Sequence, residues 1–133
     1  MRTRFWSLGL LLTLGACTPP PLPDLSGAWR DRQAVAHICG ETSPVEVGLD
    51  LIQEGAYLGG TFTLQGTEFA FEGEVNATAQ LFGDVRSDDG DGLDAALAHQ
   101  GGRLVGTFTA TEAVGCTDGT PSVTVYKVVL ARQ

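Results

Sequence analysis

Tyr57-Leu-Gly-Gly-Thr-Phe-Thr-Leu-Gln-Gly-Thr-Glu-Phe-Ala-Phe-Glu-Gly-Glu-Val75 carries the pattern on which the fold turns. Leu58, Gly60, Phe62 and Leu64 occupy every second position, Gln65-Gly66 interrupts, and Phe69, Phe71, Gly73 and Val75 resume the alternation. A period of two belongs to a strand with one buried face. Two such runs around a short turn dipeptide form an antiparallel hairpin.

The same alternation extends in both directions. Towards the N-terminus, Val45, Val47, Leu49 and Leu51 follow a first strand opened by Trp29. Towards the C-terminus come Leu81, Gly83 and Val85, then Leu93, Ala95 and Leu97, then Leu104, Gly106 and Phe108, and finally Tyr126, Val128 and Leu130. Glu54-Gly55, Asn76, Gly90-Asp91-Gly92, Gly101-Gly102 and Asp118-Gly119 punctuate these runs as turns. From Leu25 onward no window carries the i, i+3, i+4, i+7 spacing of an amphipathic helix. Eight short strands joined by tight turns predict a single all-β domain over residues 25–133, an eight-stranded antiparallel up-and-down β-barrel. Closing the meander leaves no unpaired edge, and glycines inside the strands suit a sharply coiled small barrel better than a flat sheet. A β-sandwich is the alternative arrangement of the same strands.

The chain also echoes itself. Glu54–Thr63 (EGAYLGGTFT) and Gln100–Thr109 (QGGRLVGTFT) both read as a turn followed by a strand L-x-G-T-F-T. Two copies are too few for a repeat architecture, and the simplest reading is one hairpin geometry used twice.

The 133 residues hold one domain. An apolar fraction of 43% excludes a wholly disordered chain. Sixteen acidic against eight basic residues, a net charge of −8, argue against a nucleic-acid partner, which would need basic groups to neutralise phosphate.

The N-terminus differs from the rest. Arg2 and Arg4 precede an uncharged stretch, Phe5–Ala16, too short for a membrane-spanning helix of about 20 residues and fitting the basic and apolar regions of a secretory signal peptide. Leu14-Gly15-Ala16-Cys17 then resembles the lipobox of bacterial lipoproteins. This resemblance implies that residues 1–16 are removed, that Cys17 accepts a diacylglycerol, and that the protein is lipid-anchored in the cell envelope. Thr18 stands where some bacteria read an aspartate for inner-membrane retention. The resemblance therefore points to the periplasmic face of the outer membrane or the cell surface. An ordinary signal peptide followed by a chance cysteine is the alternative. Removal of Arg2 and Arg4 leaves six basic against sixteen acidic residues, a body repelled by anionic head groups, so contact with the membrane falls to the lipid. Residues 17–24 are read as the lipidated cysteine and its tether. Four prolines in Thr18–Asp24 hold that tether extended, at ~3.1 Å per residue in a polyproline II conformation.

With Cys17 lipidated, Cys39 and Cys116 remain. In an exported protein an even pair reads first as a disulfide. Neither has a second ligand at C-x-x-C or C-x-x-H spacing, although His37, two residues before Cys39, leaves a metal or reactive-thiol alternative. Cys39 falls in the first connection and Cys116 in the seventh. An eight-stranded barrel puts those connections at one end, and closure makes strands one and eight neighbours.

Asp24-Leu-Ser-Gly-Ala-Trp29 resembles the G-x-W opening of lipocalins and other calycin-like barrels, a start shared with avidin-type proteins and with lipoprotein inhibitors of proteases. The resemblance implies a lipocalin-like barrel with one end plugged by Trp29, supported by Gly27. No polar-aromatic pattern of a biotin site accompanies it, and the strands are short for a roomy cup.

Catalytic signals are sparse. No G-x-S-x-G elbow is present, and the spacing around His37 and His99 neither supports nor forbids a nucleophilic dyad; the carboxylates form no acid–base pair in sequence, and no glycine loop precedes a helix to cradle phosphate. Ser87–Asp94 places acids at several calcium-loop positions, but Ala98 stands where the bidentate glutamate belongs, so a solvated hairpin loop is the first reading and a surface cation site the second. The expectation is a non-enzymatic protein without cofactor or metal. Trp29, Phe62, Phe108 and Tyr126 are the candidate ligand-contacting residues, although in so small a barrel aromatics also serve as filling. The leading function is a membrane-anchored binding module for a small hydrophobic ligand or lipid. The alternative is protein interaction, as a protease-inhibitor-like or structural envelope lipoprotein.

Overall fold

Backbone positions with positive φ mark the hairpin ends. Gln65 and Gly66 have φ of 50° and 85°, and Gly101 and Gly102 have 57° and 78°; two successive left-handed residues make the type I′ turn that matches strand twist. Cys39 and Gly40, at 52° and 78°, form a third such turn. The structure, a computed structural model, describes residues 21–88 and 92–133. Its strands are β1 Gly27–Ile38, β2 Glu41–Glu54, β3 Tyr57–Leu64, β4 Thr67–Val75, β5 Gln80–Arg86, β6 Gly92–Gln100, β7 Arg103–Gly115 and β8 Pro121–Arg132. Each pairs antiparallel with the next in sequence, and β8 pairs back onto β1, so the sheet closes into an up-and-down barrel. The sandwich alternative is thereby set aside.

The positions picked out by alternation point inward. Trp29, Leu49, Leu58, Phe62, Leu81, Leu104, Phe108 and Leu130 are fully buried, and Phe71 nearly so. Outward positions on β4–β6 carry Glu72, Glu74, Asp84 and Asp94, all exposed. An apolar interior inside a charged wall is the reverse of a transmembrane barrel, which turns its apolar side chains to lipid. The two echoed segments now have a structural meaning. They supply β3 and β7, four strands apart around an eight-stranded wall, and Phe62 and Phe108 reach across the interior to meet with ring centroids 4.6 Å apart and planes tilted by 45°.

Two irregularities interrupt the ladders. In β1 the register shifts between Asp31 and Ala34, and the Asp31 carboxylate fills the gap by accepting from Gln33 N at 2.9 Å and from Val129 N on β8 at 2.7 Å. In β7 the register with β8 shifts between Thr109 and Ala113.

The strands at the seam are longer than their alternation suggests. Pairs from Val35–Pro44 to Ile38–Glu41, and from Ala113–Val123 to Gly115–Pro121, extend the first and seventh hairpins beyond the apolar interior. Most side chains there are exposed, so no buried face imprints a period on the sequence. The two hairpin tips are joined by the Cys39–Cys116 disulfide, with Cα atoms 5.7 Å apart, and Cys39 N donates to Ser122 Oγ at 3.1 Å. The expected pairing is therefore present.

Candidate functional site

The two ends of the barrel are built differently. At the end where the chain enters, Leu25 is fully buried and Leu22 packs against the core. Trp29 Nε1 donates to Leu25 O at 2.9 Å, which satisfies the indole in an apolar plug. The Arg132 guanidinium lies over the Trp29 ring, 4.4 Å from its centroid, and donates to Asp24 O at 2.7 Å and to Ser26 O. Gln53 clips the same segment, accepting from Leu25 N at 2.7 Å and donating to Pro23 O at 3.0 Å. His99 meets Trp29 edge-on at 6.0 Å. Residues 22–29 thus close this end. Ser26 N–H holds the Asp24 carboxyl below its ordinary value of 3.8. A lowered folded value means that this contact stabilises the fold above that pH and that its contribution is lost as the pH falls below it.

At the disulfide end the barrel opens into a cavity of about 300 Å³. Phe62 forms its floor, backed by Phe108 and flanked by Phe69 at 6.3 Å. Leu64, Val85, Leu93 and Tyr126 supply apolar wall, and the hydroxyls of Ser87, Thr111 and Thr124 with the Glu112 carboxylate supply the polar part. The β7 irregularity shapes this wall. Thr109 pairs with Val125 and Ala113 with Val123, so Ala110, Thr111 and Glu112 stand opposite the single residue Thr124. Such a bulge bends its strand and re-aims side chains, and Ala110–Val114 all line the cavity. Thr111 Oγ1 ties the bulge to β6 through Gly92 O at 3.3 Å.

Burial pushes the Tyr126 phenol above its ordinary value of 10.0. The folded state therefore favours the neutral phenol. That contribution is intact below pH 10 and is lost as the pH rises through the folded value. In a Tyr57→Phe protein, where Tyr126 is the only remaining tyrosine, the phenolate absorbance is expected to rise with a midpoint above 10. Denaturant should return the midpoint to about 10. An unshifted midpoint would show that the cavity wall is fully wetted.

Of the residues singled out in the sequence, Phe62 and Tyr126 lie on the cavity, Phe108 lies beneath it, and Trp29 belongs to the opposite, closed end. The Cys39 sulfur is bonded to Cys116, so it offers no thiolate beside His37 to a metal or an electrophile. Cys17, the leader and the first part of the tether lie outside the described residues, as do residues 89–91 of the acidic Ser87–Asp94 run, with the turn and cation-site readings placed there. The β7 bulge and Thr124 were not legible in the sequence. Their only trace is that Thr124 shares the parity of Tyr126, Val128 and Leu130. Chemically, the described residues of the mouth offer an apolar body site with a few hydroxyls and one rim carboxylate. Compared with models of known protein families and with curated proteins, the chain matches none.

Proposed function

We propose that this protein is an envelope lipoprotein, anchored through Cys17, whose barrel is a binding module for a small hydrophobic molecule. The observation that carries the binding reading is the cavity at the disulfide end. It is floored by Phe62 with Phe69 beside it and walled by aliphatic side chains, with few polar groups. At about 300 Å³ it matches the lower end of ligand pockets, ~300–1,000 Å³, which are apolar with a few placed polar groups. That size suits a short acyl chain or a small ring system rather than a whole phospholipid. The lipobox-like Leu14–Cys17 and the proline-rich tether support the anchor. The tether meets the barrel at the Trp29 end, so the mouth lies at the end remote from the lipid and opens to solution.

The test uses the full chain expressed with its own leader. The denatured mass is expected to equal residues 17–133 plus a lipid modification, and Cys17→Ala is expected to retain the leader. The native mass is expected to carry a stoichiometric adduct that denaturation releases, and the emptied protein should enhance the fluorescence of N-phenyl-1-naphthylamine. An unmodified N-terminus would remove the anchor from this reading. Absence of both adduct and fluorescence enhancement would remove the ligand.

A protein-interaction role is the second reading, favoured by Ile38, Val114 and Val123, which stand exposed on the two disulfide-joined hairpins. A clean native mass without adduct would turn the search to a partner for these hairpin tips.

A further inference from the structure

Thr124 is the one buried polar side chain among the described residues, 7% exposed. It stands on the inward face of β8, opposite the β7 bulge, and lines the mouth cavity. Among the described residues its hydroxyl has no hydrogen-bond partner. A buried hydroxyl left unpaired is destabilising, and one facing a cavity is a ready contact for whatever enters. The charges around it narrow the choice. Among the described residues no Lys, Arg or His lines the cavity, and the one carboxylate that does is Glu112, in a chain of net charge −8. A carboxylate or phosphate head would shed its hydration there with no cation to receive it. A hydroxyl both donates and accepts, so Thr124 can pair with the oxygen of an alcohol, a carbonyl or an amide.

We infer that the mouth site takes a small uncharged amphiphile, with its polar oxygen on Thr124 Oγ1 and its apolar body against Phe62, Leu64 and Tyr126, and that it rejects carboxylates of the same chain length. This rests on the cavity being a ligand site, as proposed above. The β7 bulge is then the device that makes the head-group position. It breaks the ladder opposite Thr124 and widens the wall where the polar end sits.

The experiment measures displacement of N-phenyl-1-naphthylamine from the full-chain protein by octan-1-ol, octanoate and octylammonium at neutral pH. Octan-1-ol is expected to compete at least about tenfold more effectively than octanoate, because the ionised head is desolvated without a partner. Thr124→Val keeps the side-chain shape without the hydroxyl. It is expected to lose about three- to tenfold in octan-1-ol affinity, read from displacement against the variant's own measured affinity for the reporter. Thr124→Ser is expected to recover most of that loss. Equal competition by octanoate, or an unchanged octan-1-ol affinity in a Thr124→Val protein that still binds the reporter, overturns this inference and leaves the binding reading standing. Tighter competition by octylammonium also overturns it, because the head would then sit at Glu112. Failure of the folded parent protein to bind the reporter or any competitor overturns the binding reading itself.

Discussion

Alanine at Gly60 is expected to destabilise the barrel by about 3 kcal/mol, and alanine at Gly106 by a similar amount. Both glycines have φ reserved almost wholly for residues without a side chain, +152° and +159°. A Cβ at Gly60 would sit 1.8 Å from Asp50 O, and one at Gly106 2.1 Å from Ala96 O. Neither obstacle is a side chain that can swing aside. Each is a carbonyl of the neighbouring strand, so relief requires opening the β2–β3 or β6–β7 ladder. The two positions are equivalent in the echoed segments, and each precedes by two residues one of the phenylalanines that meet across the interior. Gly59→Ala is the control. Its Cβ would meet only the exposed Tyr57 ring, at 3.3 Å, and a change within about 1 kcal/mol is expected. Urea unfolding of the three variants checks this. If Gly60→Ala matched Gly59→Ala, the close approach of β2 and β3 would not be needed for stability.

Loss of the disulfide is expected to be larger still. The bond closes a separation of 77 residues. By the chain-entropy estimate such a crosslink contributes about 4 kcal/mol, chiefly by restricting the unfolded chain. Set against a typical domain stability of ~5–15 kcal/mol, a Cys39→Ser, Cys116→Ser protein should be marginal. The loss should also be uneven. The bond joins hairpin tips whose side chains lie mostly outside the core, whereas the opposite end is held by Trp29, Arg132 and the entering segment. Hydrogen exchange in the variant is expected to lose protection first at the tips, over residues 35–45 and 113–125, while the Trp29 end stays protected. Denaturant titration gives the magnitude. A loss below about 1 kcal/mol would mean that the β1–β8 ladder and the Cys39–Ser122 contact hold the tips unaided.

The deletion of a cysteine pair and the placement of a methyl group test opposite kinds of information. That Cys39 and Cys116 meet follows from counting connections in a closed eight-strand meander, and the turn dipeptides Gln65-Gly66 and Gly101-Gly102 announce their own geometry through the φ they require. The alternation of Leu58, Phe62, Phe71 and their counterparts is likewise local. A strand has two faces, and one face must leave water, so the sequence by itself determined the strand count and the inward residues, while closure into a barrel rather than a sandwich was decided by the pairing of β8 with β1. Nor did the sequence determine height. A period of two says that Trp29, Phe62, Phe108 and Tyr126 all point inward, but their level along the barrel depends on the stagger between strands, which only closure sets. The G-x-W resemblance implied a plugging Trp29, but that Phe62 and Tyr126 share the opposite, open end was left to the stagger. The bulge of Ala110–Glu112 opposite Thr124, the guanidinium of Arg132 over Trp29, and the hairpins that outrun the core were decided by tertiary structure. Each is a relation between residues on different strands, and no local periodicity records it.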